Sequence, residues 1–281
     1  MTMRAAANGI DIAYETFGSP AGRPLLLIMG LGAQLIHWDE ELCRLLAEQG
    51  HHVVRFDNRD AGLSTHFHDA GVPQAGAPTP YFLDDMADDA AGLMDAFGWP
   101  AAHVVGASMG GMIAQALAIR HPERVLTLTS IMSTPGPESA PPTAEALAVL
   151  TATPPADRDG VLEQALRTWS VIGSPGYELD RERIIAMAGT AYDRCFDPAG
   201  TARQLAAIMA SGGRTELLAQ VSVPTLVLHG EGDPLVPVAG GRATAAAIPG
   251  ARLVTYPGMG HDLPRALWPD IVTEITKLTS S

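Results

Sequence analysis

The sequence predicts an α/β fold in which a mostly parallel central sheet is flanked by helices and interrupted by a helical insertion. Three observations carry this. Short apolar runs alternate with helical patterns in the first half of the chain, and several of those runs end in glycine-bearing loops. The strand rhythm then stops over residues 133–214 and resumes near residue 224. With 281 residues and 47% hydrophobic content, the chain can bury a large core. The expected division is a core made of residues 1–132 and 215–281, with an inserted cap over 133–214.

Ile10 to Phe17 alternates as a half-buried strand does, and Gly18-Ser19-Pro20 closes it as a turn. Pro24 to Met29 is a continuous apolar run ending in Gly30-Leu31-Gly32, the pattern of a strand covered on both faces. A helical pattern from Glu40 to Glu48 leads to a second buried strand, Val53 to Phe56, so strand, helix and strand make a parallel pair. Tyr81 to Phe97 places apolar residues at helical spacing behind an acidic face. The strand His103 to Val105 turns almost at once into a helix, Met109 to Ile119, which ends at His121-Pro122 before the strand Val125 to Ile131. In the insertion, Pro135, Pro137, Pro141, Pro142, Pro154 and Pro155 leave four helical pieces: Ala144 to Leu150, Val161 to Trp169, Arg181 to Ala188 and Ala202 to Ser211. Strands Thr225 to His229 and Arg252 to Tyr256 resume the sheet, and a helix from Leu267 to Leu278 closes the chain.

Composition excludes several classes of partner. The net charge is −13, Lys277 is the only lysine and there is no basic run, which argues against nucleic acid or an anionic membrane. The longest apolar run is too short to span a bilayer, and Asn8-Gly9 interrupts the N-terminal stretch before a signal core could form, so a cytoplasmic protein is expected. Cys43 and Cys195 lie far apart without histidines at ligand spacing, so reduced thiols are expected, with no metal and no cofactor. The sequence leaves the oligomeric state open.

The sharpest motif is Gly106-Ala107-Ser108-Met109-Gly110, a GxSxG nucleophile elbow between a strand and a helix. Side chains at positions 106 and 110 would collide with neighbouring backbone in so tight a turn, and Ser108 would project its hydroxyl. A serine hydroxyl needs a base, and the base needs an acceptor that fixes its tautomer. Asp233 follows the strand Thr225 to His229, and His261 follows the strand Arg252 to Tyr256, so both sit on loops at the same sheet edge as Ser108. Glu231 competes with Asp233 for the acid role, although Pro234 fixes the turn at Asp233. His51, His52, His66, His68 and His121 read as structural, with His66 and His68 in a loop lacking a partner acid, and Asp262 reads as a helix cap or a solvated residue. Backbone N–H groups of Leu31 and Met109 are the expected oxyanion donors.

With these pieces in place, the chain resembles the α/β-hydrolase superfamily from about Arg4 to Leu278. Met29-Gly30, the run from Phe56 to Ser64 and the run from Gly258 to Pro264 are similar to aclacinomycin methylesterase and related carboxylesterases. That resemblance implies a cofactor-independent esterase acting on a small-molecule ester through Ser108, His261 and Asp233, with methyl esters of polyketide-like compounds among its substrates. Trp38, Trp169, Met187, Met209, Leu235 and Val236 are the expected apolar wall of the substrate pocket. The alternatives on the same scaffold are a cofactor-free haloperoxidase or perhydrolase, a carbon–carbon bond hydrolase, and a non-catalytic ligand receptor.

Overall fold

In the computed structural model, which describes residues 2–74 and 78–280, eight strands form one sheet in the order β1-β2-β4-β3-β5-β6-β7-β8. Met1 and Ser281, the outer limits of the expected core, lie outside the described residues. β1 (Met3–Ala7) and β2 (Ile10–Phe17) form a hairpin, and β2 pairs antiparallel with β4 (His51–Phe56). β3 (Arg23–Ile28), β5 (Ala102–Ala107), β6 (Val125–Ile131), β7 (Thr225–Gly230) and β8 (Arg252–Tyr256) extend the sheet in parallel. β1 is absent from the sequence reading. Its signal is the Asn8-Gly9 pair, whose φ angles of 49° and 78° are those of a tight hairpin turn.

Strand alternation divides the core between the two faces. Leu26, Ile28, Val54 and Val104 point toward α2 (Leu83–Ala96) and α3 (Met109–Arg120), while Leu25, Leu27, Val53 and Val105 meet α1 (Glu40–Glu48) and the C-terminal helix. Both faces of the central strands are buried, which explains why these strands read as unbroken apolar runs.

Between β6 and β7 the chain forms α4 (Ala144–Leu150), α5 (Arg158–Ile172), α6 (Arg181–Arg194) and α7 (Pro198–Ser211), followed by the short α8 (Thr215–Leu218). Asp157, Asp180 and Asp197 cap α5, α6 and α7 by accepting hydrogen bonds from backbone N–H groups in their first turns. α9 (Val238–Ala247) is a second element missing from the sequence reading. Gly240 and Gly241 weaken its helical pattern, yet a Cβ at 241 would lie 2.4 Å from His229 Nδ1, so the glycine lets this helix approach β7. α10 (Trp268–Thr279) closes the second face. No helix among the described residues is long and apolar enough to cross a membrane.

Candidate active site

The strand order reverses direction between β3 and β5, and the loops leaving their carboxyl ends carry Leu31 and Ser108. Such a switch point opens a crevice where an α/β sheet can receive a ligand. Ser108 occupies it with φ 56° and ψ −121°, a strained backbone conformation for a residue with a side chain. The turn closes only because its neighbours lack side chains. A Cβ at 106 would lie 2.0 Å from the Gly110 carbonyl oxygen, and one at 110 would lie 2.1 Å from that of Ile28. The Ser108 N–H donates to the Ile131 carbonyl at 2.9 Å, tying the elbow to β6.

Ser108, Asp233 and His261 come together here. Ser108 Oγ lies 2.9 Å from His261 Nε2, and His261 Nδ1 lies 2.7 Å from Asp233 Oδ2. The other carboxylate oxygen, Oδ1, accepts the N–H groups of Leu235 and Val236, each at 2.9 Å, so the acid is fixed from both sides. Its side chain is fully buried. Glu231, the rival acid, is exposed and accepts from the Thr255 hydroxyl instead. With Nδ1–H directed at the carboxylate, Nε2 is left as the acceptor for the serine proton, the arrangement needed to activate a hydroxyl during attack. His229 packs 3.7 Å from Asp233 and donates through Nε2 to the Val236 carbonyl. Burial lowers its pKa, so a neutral imidazole backs the acid loop.

Met109 is the first residue of α3, where an N–H has no partner within the helix. Among the described residues, none accepts the N–H of Leu31 either. Both therefore remain available as donors beside Ser108. Gly30 admits the close approach: a Cβ there would come within 3.1 Å of the Ser108 Cβ.

These groups open onto a cavity of about 1340 Å³ with mostly apolar walls. Trp169, Met187, Met209, Leu235 and Val236 line it, Met209 at an exposed position. Trp38 does not. It is fully buried among Leu25, Leu27, Leu42 and Leu46 behind the sheet, and its carbonyl accepts from Arg55. An aromatic residue near the oxyanion loop in sequence thus proves to be core, because the short helical turn at Leu35–His37 directs it away from the crevice.

Two other histidine and acid readings change. His66 has a partner acid: its Nδ1 lies 2.7 Å from Asp197 Oδ2, and the His68 ring stacks on it at 5.2 Å. His66, His68 and Asp197 together form a group able to hold a metal ion, where cysteine and histidine spacing had suggested none. Asp197 lies 131 residues away, so spacing could not reveal it. Asp262 neither caps a helix nor faces solvent freely. It accepts from the Ser174 hydroxyl, and burial raises its carboxyl above the usual range. Ser174 Oγ also accepts from the Gly260 N–H at 2.8 Å, and the His261 N–H donates to the Ile172 carbonyl at 2.7 Å. The histidine loop is therefore bonded to the end of α5, a contribution of the inserted helices that no local motif announces.

Comparison with known proteins places these features in context. A family model described as the alpha/beta hydrolase fold matches residues 23–264. Rhodomycin D methylesterase DauP of Streptomyces sp. (strain C5) is 32% identical over 290 residues, covering 95% of this chain and 94% of its own length. Rhodomycin D methylesterase DnrP of Streptomyces peucetius is 33% identical, with 92% and 91% covered. Among solved structures, the enol-lactonase from Burkholderia xenovorans LB400 superposes with a TM-score of 0.79 at 25% identity, covering 99% of this chain and all of the other.

Proposed function

This chain belongs to the alpha/beta hydrolase fold family, and from that premise we propose that it is a serine carboxylic ester hydrolase whose substrates are methyl esters of large apolar acids. The contact that carries the reading is the continuous line from Ser108 Oγ through the His261 ring to Asp233, 2.9 and 2.7 Å long, at the floor of the apolar cavity. Similarity to two methylesterases along nearly the whole chain supports the ester class. The volume of the cavity favours a multi-ring acid over a short aliphatic one.

In this mechanism Ser108 Oγ attacks the ester carbonyl carbon while His261 Nε2 takes its proton. The negative charge on the carbonyl oxygen is met by the N–H groups of Leu31 and Met109, and Asp233 stabilises the imidazolium. Collapse breaks the bond to the alkoxy group, which leaves as methanol after taking the proton from His261. Water, deprotonated by the same histidine, then attacks the acyl-serine ester, releasing the acid and restoring Ser108. Residues 133–214 serve as the cap that shapes the acyl pocket, and the ester and water are the small molecules the chemistry requires.

A panel of methyl esters, from acetate to a polycyclic aromatic acid, tests this. Turnover should rise with acyl size, and Ser108→Ala should lower kcat by about a millionfold. Unchanged turnover in Ser108→Ala would remove the mechanism, and equal rates across the panel would remove the substrate class.

A further inference from the structure

The loop that carries the Leu31 N–H is held mainly by the inserted helices. Gln204, in the middle of α7 and fully buried, accepts the Gly32 N–H through Oε1 at 2.8 Å. Through Nε2 the same side chain donates to the Arg59 carbonyl at 2.7 Å. One amide thus spans the oxyanion loop and the loop after β4. Gly32 is shaped to fit α7: its φ is +65°, and a Cβ there would lie 2.8 to 2.9 Å from the Thr201 side chain.

A second attachment runs to α6. Gln34 Nε2 donates to the carbonyls of Ala191 and Cys195 at 2.7 and 2.9 Å, and its Oε1 accepts from Arg194. Arg194 in turn pairs with the fully buried Asp57 at 3.1 Å, and Asp57 accepts the Leu35 N–H at 2.6 Å. The core supplies fewer bonds to this loop. Asn58 holds the Met29 carbonyl at 2.9 Å just before it, and the Ala33 N–H closes a turn on Gly30 at 3.2 Å.

We propose that Gln204 is a positioning residue for the reaction: by fixing Gly32 to α7 it aims the Leu31 N–H at the developing oxyanion, so that the hole is complete only when the inserted helices are seated. The inference rests on the reading of Leu31 and Met109 as oxyanion donors. Physically, a hydrogen bond that must meet charge appearing only in the transition state gains from being oriented beforehand. A loop of glycines has little stiffness of its own, and a buried amide with both ends bonded supplies it. The inserted helices are then part of the catalytic frame as well as a wall of the pocket.

The test is Gln204→Met, which keeps volume and helix preference while removing both hydrogen bonds. Turnover of one methyl ester is compared with inhibition by an alkyl trifluoromethyl ketone, which adds to Ser108 as a tetrahedral oxyanion. The expected result is a fall in kcat of about 10- to 100-fold with KM changed by less than about threefold, and an equal loss of ketone affinity. A role confined to folding or pocket shape would instead raise KM or leave ketone affinity and kcat unlinked, and either outcome overturns the proposal, as does unchanged kcat. If Gln204→Met does not fold, Gln34→Met removes all three side-chain bonds between the loop and the end of α6 and should show the same linked loss at a smaller size; no such loss refutes it. Ser108→Ala run alongside separates the two levels, because activity surviving there removes the ester hydrolase reading itself.

Discussion

The elbow at Ser108 and the helices α4 to α7 between β6 and β7 are held in place by different physics. The elbow is fixed by backbone contact: at positions 106 and 110 there is no room for even one added carbon. The inserted helices are held by side chains reaching across long sequence separations. Arg203 forms a two-pronged pair with Asp60 at 2.7 and 2.8 Å, both fully buried, and Arg194 meets Asp57. Local sterics write themselves into a short motif, whereas long-range pairing does not.

That contrast can be broken at either end, and the largest effect is expected at the elbow. Gly110→Ala drives its Cβ into the Ile28 carbonyl and should cost more than about 4 kcal/mol, the scale reserved for core collisions and strain. Denaturant unfolding of the soluble fraction measures it, and a loss below about 1 kcal/mol would mean that the elbow relaxes more easily than its packing implies.

Next in size is the attachment of the inserted helices. Arg203→Met leaves the buried Asp60 without its guanidinium, the His66 ring 4.0 Å away being the cation that remains, and should cost about 3 kcal/mol. Because the Tyr81 hydroxyl and the Phe67 N–H still reach Asp60, the fold should survive with a lower Tm. Limited proteolysis should then cut within 133–214 first. Cleavage beginning in the core would contradict the difference drawn between the two regions.

The smallest expected effects separate the regions along the pH axis. His103, on β5 in the core, is pushed down to about 4 by burial and by the nearby His51 and Arg23. Its folded pKa lies below its ordinary 6.5, so its contribution is present above 6.5 and is lost as pH falls toward 4. His66 sits where the core meets α7. Contact with the Cys195 sulfur outweighs burial and, with the Gly62 carbonyl and the Asp197 carboxylate, raises it to about 9. Its contribution is present below 6.5 and disappears as pH rises through 9. Tm measured from pH 4 to 10 should therefore fall at both ends. His66→Gln should flatten only the alkaline slope, and His103→Asn should flatten part of the acid one. A single variant that flattened both slopes would show that the two histidines report one cooperative event.

What was legible in the sequence follows the same division. The parallel strands could be read because burial on both faces leaves unbroken apolar runs, and the meeting of Ser108, Asp233 and His261 at one sheet edge because each sits at a strand end beside glycine or proline. α9 was hidden by the two glycines that let it pack. Trp38 is apolar like the other expected wall residues, and composition alone does not separate it from them; packing places it in the core. Gln204, Ser174 and Asp197 were invisible because their partners lie 86 to 172 residues away. No periodicity or spacing encodes such a contact, and only the closed fold brings it about.

The most direct test of the central claim is to catch the acyl group on the protein. Rapid mixing with an excess of a polycyclic methyl ester, acid quench and intact mass measurement should show an adduct of the acid minus water, mapping to the peptide that contains Ser108 and absent in Ser108→Ala. Methanol should appear in a burst equal to the adduct. Product formed with no burst and no adduct, or an adduct that persists in Ser108→Ala, would contradict the account.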